Sequence, residues 1–359
     1  MRKYFKKISL ILIAAMIIMA IGACGSSTSN DIADSSDDGT QETEAVVENT
    51  GEIYELTLGS FPGDNLTQME EFAADVLEAS NGQLVIEVVN FLTLGSTSDA
   101  VQMAKDGSLD FILISGTEYV GYEPCSAVVA VPGVVDNISD AVALEKALYE
   151  AGYFSDWDGE IISILTTDMQ YIALVDDYIE SADDFKGLVG RCQNANGITL
   201  LENLGSSITT ISTSEVYMSL ETGIIDFSVS SPTNMTDSAY AEVVDYIIDY
   251  TLYCDCNCLV MNNDSYAALP DDLKEILKEC GESLTDSYTE WNIEAEAEGI
   301  QDLKDGGVEF IECPEDVITI FEESSDACME SFLDTLASAG VDTDTFSAFV
   351  DEIRADLGY

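Results

Sequence analysis

DDFKGLVGRCQNANGITLLENLGSSITTISTSEVYMSLETGIIDFSVSSP, residues 183–232, is the stretch that decides the fold. Its apolar run Leu188–Arg191 predicts a short buried strand. Asn194 or Asn196 can cap the helix that follows, and Gly205 ends that helix. A strand that leads directly into a helix is typical of an α/β fold.

The second half of this stretch adds another helix and another strand. Ser212–Glu215 has the Ser-x-x-Glu form of a capping box and opens a helix that stops at Gly223. The apolar run Ile224–Val229 then predicts a second buried strand. The predicted order is therefore strand, helix, helix, strand. Arg191 falls at the carboxyl end of the first strand, which is where ligands bind in open α/β sheets.

Arginine is rare in this chain. It has 69 Asp and Glu residues against 12 Lys and Arg residues, and a formal net charge of -57. Beyond the N-terminal segment, its arginines are Arg191 and Arg354. A guanidinium can hold a carboxylate through two parallel hydrogen bonds, which a lysine ammonium cannot do. Arg191 is therefore the main candidate for ligand binding, and the alternative is a surface or structural ion pair with Asp183, Asp184 or another acid.

A short pattern occurs twice along the chain. Gly107-x-x-Asp110-Phe111 and Gly223-x-x-Asp226-Phe227 each follow a predicted helix and enter an apolar strand. The repeat predicts two similar α/β lobes. A cleft between two lobes is the commonest place for a small-molecule site.

Four groups of residues, taken in order and spacing, resemble the DctP-type solute-binding proteins of TRAP transporters. They are Asp106-Gly107-Ser108-Leu109-Asp110-Phe111, Lys186-Gly187-Leu188-x-x-Arg191, Ser214-Glu215-Val216-Tyr217-x-x-Leu220-x-x-Gly223-x-x-Asp226 and Asn263-x-x-Tyr266-x-x-Leu269-Pro270-x-x-Leu273. The likeness extends from about Tyr54 to the C-terminus. It implies an α/β, two-lobed, periplasmic-binding-protein-like fold, with a ligand cleft between the lobes and a long helix across both. The helix that Pro270 starts would be on the order of 50 Å long.

We predict four segments from these patterns. They are a lipoprotein signal peptide at residues 1–23, a lipidated cysteine and flexible acidic linker at 24–52, lobe 1 at 53–168 plus 256–295, and lobe 2 at 169–255 plus 296–359.

The resemblance also implies ligand-binding residues. Arg191 matches the arginine with which family members clamp the ligand carboxylate. Ser230 stands where the family's ligand-binding asparagine would be. Tyr171 stands where many members carry a second basic residue, which puts recognition of a second anionic group in question. We also expect Ser115 and Phe61 to line the cleft, and loop or core packing is the alternative for Ser230, Tyr171, Ser115 and Phe61. Asn194 and Asn234 are secondary candidates.

Composition excludes several classes of function. Phosphate contacts need clusters of Lys and Arg, so nucleic-acid binding is excluded, as is binding of the protein body to an anionic membrane surface. The sequence has no histidine, which rules out Ser-His-Asp and Cys-His catalysis and histidine metal sites. It has no glycine-rich phosphate loop, and we expect no cofactor.

The cysteine run Cys254-Asp255-Cys256-Asn257-Cys258 raises the question of a metal site. Alternation along a strand places the three sulfurs on one face, in line with Val260, and one extended strand does not surround a tetrahedral metal ion. We therefore predict a buried apolar face without a metal. A metal or redox site is the alternative.

The expected function is that of an extracytoplasmic, lipid-anchored receptor and not of an enzyme. It would bind a small organic acid between its lobes as a monomer and deliver it to the membrane subunits of a TRAP permease. Two alternatives remain at this point. One is a surface enzyme that uses acidic residues, and the other is the ligand-binding partner of a sensory receptor.

The N-terminal segment predicts the anchor. Basic residues at positions 2, 3, 6 and 7 precede the apolar run Ile8–Ile21, which is short for a membrane span. Ile21-Gly22-Ala23-Cys24 then has the form of a bacterial lipobox, in which Cys24 is lipidated and becomes the new N-terminus. An ordinary signal peptide with a chance cysteine is the alternative.

The lipobox gives a first testable prediction. We expect Cys24→Ala either to release the protein from membranes or to leave its precursor uncleaved, because the acyl chains on the cysteine supply the anchoring free energy. Membrane fractionation with immunoblotting measures both outcomes. Normal processing and normal membrane retention of the variant would contradict the lipid anchor.

Overall fold

The computed structural model describes residues 51–115, 124–154, 159–176 and 178–359. The predicted signal peptide, Cys24 and nearly all of the predicted linker lie outside these described residues. Within them, no helix is both long enough and apolar enough to cross a membrane.

Two sheets organise the described residues. The strands of the first sheet are β1 (Tyr54–Ser60), β2 (Leu84–Asn90), β3 (Phe111–Ser115), β4 (Gly159–Thr166) and β10 (Cys256–Asn262). Their spatial order is β2-β1-β3-β10-β4. β1 pairs parallel with β2 and β3, and β10 pairs antiparallel with β3 and β4.

The second sheet has a similar mixed topology. Its strands are β5 (Tyr171–Leu174), β6 (Val189–Arg191), β7 (Ser207–Thr209), β8 (Phe227–Ser230), β9 (Tyr246–Asp249) and β11 (Glu309–Glu312). Their order is β11-β9-β5-β8-β6-β7. β6 is parallel to β7 and β8, β9 is parallel to β11, and β5 is antiparallel to β8 and β9. The lobe boundaries given above stay a prediction.

Helices connect and cover the strands. They are α1 (Asp64–Ala79), α2 (Thr97–Asp106), α3 (Ile138–Glu150), α4 (Ala195–Asn203), α5 (Thr213–Glu221), α6 (Pro232–Asp237), α7 (Asn263–Ala268), α8 (Asp271–Asp305), α9 (Glu315–Ser338) and α10 (Thr343–Leu357).

The stretch 183–232 folds largely as its sequence predicts. β6, α4, α5 and β8 are all present, Asn194 caps α4, and the capping box at Ser212 opens α5. The predicted order was nevertheless incomplete, because β7 lies between the two helices. β7 has three residues, too few to produce an alternating pattern. The second predicted strand also starts late: Ile224 is 64% exposed, and β8 begins at Phe227.

The repeated Gly-x-x-Asp-Phe pattern has the same physical role in both sheets. Gly107 and Gly223 follow α2 and α5 with φ angles of 78° and 66°, a left-handed conformation that favours glycine. The Asp110 carboxylate accepts a hydrogen bond from the Thr57 backbone N–H of β1 at 2.8 Å. The Asp226 carboxylate accepts one from the Val189 backbone N–H of β6 at 2.7 Å. Each aspartate thus joins its strand to the neighbouring parallel strand.

The cysteine run packs as alternation predicts. Cys254, which precedes β10, and Cys256 and Cys258 within β10 are each at most 3% exposed. They belong with Val260 to one apolar core, whereas Leu259 belongs to another. The sulfurs of Cys256 and Cys258 lie 3.8 Å apart. Within the described ranges, no group of three metal-ligating side chains is arranged to hold a metal ion.

The long helix α8 contacts both halves of the molecule. Its 35 residues span about 52 Å at 1.5 Å per residue. Near its start, Gly281 lies directly against the backbone of Ile162 in β4. Near its end, a Cβ added to Gly299 would lie 3.0 Å from the backbone of Pro232, the first residue of α6. The helix therefore packs on the first sheet and on α6, which follows strand β8 of the second sheet.

The contact at Gly281 gives a second prediction. A Cβ there would overlap the carbonyl oxygen of Ile162, which is backbone and cannot rotate away. We expect Gly281→Ala to lower the free energy of unfolding by about 1–3 kcal/mol, although alanine favours a helix by about 1 kcal/mol over glycine. Urea denaturation measures the change. The exposed Glu279→Ala in the same helix is the control and should be nearly neutral. Unchanged or increased stability of Gly281→Ala would contradict this packing.

Candidate functional site

Arg191 is a buried cation held by neutral groups. It is the last residue of β6 and is 5% exposed. Its Nε donates to the Ile211 carbonyl at 3.3 Å, Nη1 to the Val229 carbonyl at 3.3 Å, and Nη2 to the Thr213 hydroxyl at 3.1 Å. These bonds use three of the five N–H donors of a guanidinium. One N–H remains on each terminal nitrogen, which is the pair that bidentate carboxylate binding needs.

Among the described residues, no carboxylate forms the alternative ion pair with Arg191. Asp183 pairs with Lys186 at 2.5 Å, and Asp184 accepts from the Ser181 backbone N–H at 2.8 Å. All the ion pairs among the described residues involve lysines, and none includes Arg191. Burial lowers the pKa of Arg191, yet a guanidinium stays protonated in a protein. The positive charge at the end of β6 therefore has no protein carboxylate to neutralise it within the described part of the chain.

Strand register places Arg191 in a row of polar side chains. Arg191 is opposite Ser228 in the parallel pair of β6 and β8, and Ser230 is opposite Tyr171 in the antiparallel pair of β8 and β5. Paired residues project from the same face of a sheet, and so do residues two apart in a strand. Arg191, Ser228, Ser230 and Tyr171 thus share one face. Asn234 joins them, since its Nδ2 donates to the Ser230 hydroxyl at 2.5 Å.

Tyr240 is a further residue at this face, and sequence reasoning missed it. Its ring is fully buried, and its hydroxyl makes no well-formed hydrogen bond to a described residue, although the Ser228 and Ser230 side chains lie close to it. Burial raises the pKa of this hydroxyl, while nearby Ser228 and Arg191 lower it. A buried hydroxyl without a partner costs free energy unless a ligand or water satisfies it. No local sequence signal marks Tyr240, because it lies nearly fifty positions after Arg191.

Two carboxylates lie at the other end of the row, beside Tyr171. Glu296 of α8 accepts from the Met169 backbone N–H at 2.6 Å and from the Tyr171 hydroxyl at 3.5 Å. Asp168 accepts from the Thr233 hydroxyl at 2.6 Å. Burial raises the pKa of both carboxyls. The pKa of Glu296 rises to about 7, with the Asp168 charge as a further cause and the Met169 hydrogen bond opposing it. The sequence could not single them out among 69 acidic residues.

Two other predicted residues, Phe61 and Ser115, belong to the first sheet. Phe61 follows β1, is half-buried, and makes an edge-on contact with Phe91 at 4.8 Å between ring centroids. Ser115 ends β3 opposite Asn257 of β10 and is also half-buried. Both therefore belong to the first sheet, at the carboxyl ends of its strands. Their roles in a ligand site stay predictions.

Asn194 has a structural role at the start of α4. Its Oδ1 accepts from the Gly197 backbone N–H at 2.9 Å, as in a helix cap, and its Nδ2 donates to the Ala130 carbonyl at 3.4 Å. The side chain therefore ties the start of α4 to the segment Pro124–Ala130. A part in ligand binding stays a prediction for Asn194.

Comparison with known families decides the identity of the chain. The profile of the family described as bacterial extracellular solute-binding protein, family 7 (DctP), matches residues 64–335, which is more than half of the chain. The chain belongs to the DctP family. A solute-binding protein from Chromohalobacter salexigens is 25% identical over 231 residues, covering 62% of this chain and 67% of that protein.

Solved structures of TRAP solute-binding proteins have the same fold as this DctP protein. One from Desulfovibrio salexigens, an open complex with the C-terminus of a symmetry mate in its ligand-binding site, has a TM-score of 0.78 and 21% identity, covering 86% of this chain and 97% of that one. One from a marine metagenome, with 3-hydroxybenzoate, has a TM-score of 0.74 and 18% identity, covering 86% of this chain and 100% of that one. One from Chromohalobacter salexigens, with D-glucuronate, has a TM-score of 0.71 and 20% identity, covering 84% of this chain and 99% of that one.

These comparisons confirm the predicted family and the two-lobed α/β fold. Proteins of the DctP family are extracytoplasmic solute-binding receptors and not enzymes. The acid-using surface enzyme that composition left open is therefore excluded. The identity of the solute, the lipid anchor and the permease belong to the proposal below.

The raised pKa of Glu296 gives a third prediction. The folded state binds the Glu296 proton more tightly than the unfolded state, in which the pKa is near its ordinary value of 4.5. Stability from this group is therefore present below about pH 4.5 and is lost as the pH rises towards 7. We expect Glu296→Gln to raise the free energy of unfolding at pH 8 by about 1–2 kcal/mol, and to lose this advantage at pH 4.5.

Denaturant unfolding at several pH values checks this expectation. Glu294→Gln is a matched control, because Glu294 is exposed on the same helix and the charge change is the same. The groups that face Glu296 from neighbouring elements, Asp168, Met169 and Tyr171, stay unchanged in both variants. A Glu296→Gln variant that is less stable than the native protein at pH 8 would contradict the prediction.

Proposed function

We propose that this DctP protein is a lipid-anchored receptor that captures a small organic acid between its two lobes and delivers it to a TRAP permease. Arg191 binds the ligand carboxylate. The observation that carries this proposal is a buried guanidinium with one free N–H on each terminal nitrogen and no carboxylate partner among the described residues. A buried cation without a partner is costly in free energy, and binding an anionic ligand removes that cost.

The local backbone supports an anionic ligand at the same place. Thr213, which accepts from Arg191, is the first residue of α5. The N-terminus of a helix carries a partial positive charge and backbone N–H groups that favour anions. Two relatives of the same fold hold D-glucuronate and 3-hydroxybenzoate, and each of these ligands has one carboxylate. The Arg191 guanidinium and the N-terminus of α5 thus both favour a carboxylate.

The other predicted residues complete the proposed cleft. Tyr171, Ser230 and Asn234 line it from the second sheet together with Arg191, and Phe61 and Ser115 line it from the first sheet. Ligand contacts to both lobes stabilise a closed state, because a ligand shifts a conformational equilibrium by its differential affinity for the two states. The protein acts as a monomer, and Cys24 holds it at the extracytoplasmic face of the membrane.

Arg191 gives the fourth prediction, the test of the proposed function. A thermal-shift screen of organic acids first identifies a ligand through the stability that binding adds. We expect Arg191→Ala to weaken binding of that acid by about 2–5 kcal/mol, or roughly 30-fold to several thousandfold in Kd. Arg191→Lys should also weaken binding substantially, because lysine keeps the charge and loses the paired donors.

Calorimetry with the acid and its amide separates the charge contact from other effects. The amide should bind the native protein poorly and lose little more on Arg191→Ala, which makes a double-mutant cycle. Arg354→Ala is the matched control, because Arg354 binds the carbonyls of Gly133 and Val134 instead of lining the site. Equal affinity of the native protein and the Arg191 variants for the acid would remove Arg191 from the site. A screen without any carboxylic acid ligand would contradict the proposed function itself.

A further inference from the structure

The polar row has a second end that the proposed carboxylate contact does not use. Tyr171 on β5 lies two strands away from Arg191 on β6, with β8 between them. Neighbouring strands are about 4.8 Å apart, so the two backbones are separated by on the order of 10–12 Å along the diagonal. Both side chains project from the same face. Tyr171 therefore lies within reach of the far end of a small acid held by Arg191.

The Tyr171 hydroxyl is committed as a donor. At pH 8, above the raised pKa of Glu296, this carboxylate is ionised and can only accept hydrogen bonds, so the tyrosine O–H donates in their 3.5 Å contact. The other Glu296 oxygen is fixed by the Met169 backbone N–H at 2.6 Å. The hydroxyl oxygen of Tyr171 then offers only lone pairs to a ligand. A ligand donor satisfies these lone pairs, and a ligand carboxylate cannot.

The negative charge around Tyr171 also favours a neutral hydrogen-bond donor over a second carboxylate. Asp168 lies in the segment between β4 and β5, is 6% exposed, and is fixed by the Thr233 hydroxyl and backbone N–H. Its charge acts on both Glu296 and Tyr171. The far end of the row is therefore acidic, whereas the near end carries the Arg191 cation. A second anionic group on the ligand would meet like charge there, and like charges in a poorly hydrated site are strongly unfavourable.

We propose that Tyr171 and Glu296 set the specificity of this receptor for monocarboxylic acids with a hydrogen-bond donor, such as a hydroxyl, at their far end, and that they exclude dicarboxylic acids. This inference rests on the proposed function, because it takes the ligand carboxylate to be on Arg191. Tyr171 binds the donor directly. Glu296 acts through Tyr171, by orienting its O–H, and through its own charge.

The fifth prediction is tested with two matched series of probes. One is benzoate, 3-hydroxybenzoate and isophthalate, and the other is butyrate, 4-hydroxybutyrate and succinate. In each series the far end of the acid carries nothing, a hydroxyl or a second carboxylate. Calorimetry at pH 8, where Glu296 is ionised, should give the tightest binding for the hydroxy acid in at least one series. The diacid should bind at least about tenfold more weakly than the hydroxy acid.

Single substitutions distinguish the contribution of Glu296 to specificity from that of Tyr171. Glu296→Gln removes the negative charge at nearly constant size, so the preference for the hydroxy acid over the diacid should shrink by about tenfold. Tyr171→Phe removes the acceptor, so the hydroxy acid should lose its advantage over the parent acid while the diacid stays excluded. Glu294→Gln, with the same charge change at an exposed position of α8, should leave every ratio unchanged. If Glu296→Gln does not fold, Tyr171→Phe still decides between the outcomes.

Three results would overturn the inference. The first is a diacid that binds the native protein within threefold of the hydroxy acid. The second is a specificity ratio that neither Glu296→Gln nor Tyr171→Phe alters. The third is binding of none of the six probes, since these are the smallest members of the proposed ligand class. In each case the proposed function stands as long as the wider screen finds a carboxylic acid whose affinity depends on Arg191.

Discussion

The buried Arg191 guanidinium is the constraint on which the site depends. Burying a charge is costly unless it is paired, and this chain has 69 acidic residues that could supply a partner. The structure instead surrounds Arg191 with the neutral oxygens of Ile211, Thr213 and Val229. These three partners come from the loop before α5, the start of α5 and the neighbouring strand β8. The strand–helix–strand unit thus orients the cation without neutralising it, and leaves its charge available to a ligand.

Most of the fold could be predicted because its signals are local. The capping box at Ser212, the caps of the helices and the apolar runs are set by residues a few positions apart, and the structure confirms them. The repeated Gly-x-x-Asp-Phe pattern at Asp110 and Asp226 could be recognised in the sequence, but the structural role of its two aspartates could not. Only the structure shows that both carboxylates bind the backbone of a parallel neighbouring strand. β7 was missed because three residues carry no periodicity.

The site was less predictable than the fold, because its members are distant in sequence. Arg191 was singled out by its rarity and by the family resemblance, and its role in binding stays a prediction. Tyr240 and Glu296 were missed, since a tyrosine carries no positional signal and an acid has none in so acidic a chain. What selects Glu296 from the other acids is its position in α8, where it meets Met169 and Tyr171. That meeting depends on how a helix crosses the connection between two sheets, which no short stretch of sequence encodes.

The same turn of α8 contacts both sheets and the segment that connects them. One turn before Glu296, the Asn292 side chain donates to the Thr166 carbonyl at the end of β4. One turn after it, Gly299 packs on Pro232, next to the second sheet. Glu296 itself binds Met169 in the segment that connects the two sheets. Under the proposed function, a ligand group that alters the Tyr171–Glu296 contact would therefore act on the helix turn that lies between the predicted lobes. Under the proposed function, and because only differential contacts shift a conformational equilibrium, we expect an acid that fits this end of the row to favour closure and one that does not fit to bind without closing the lobes.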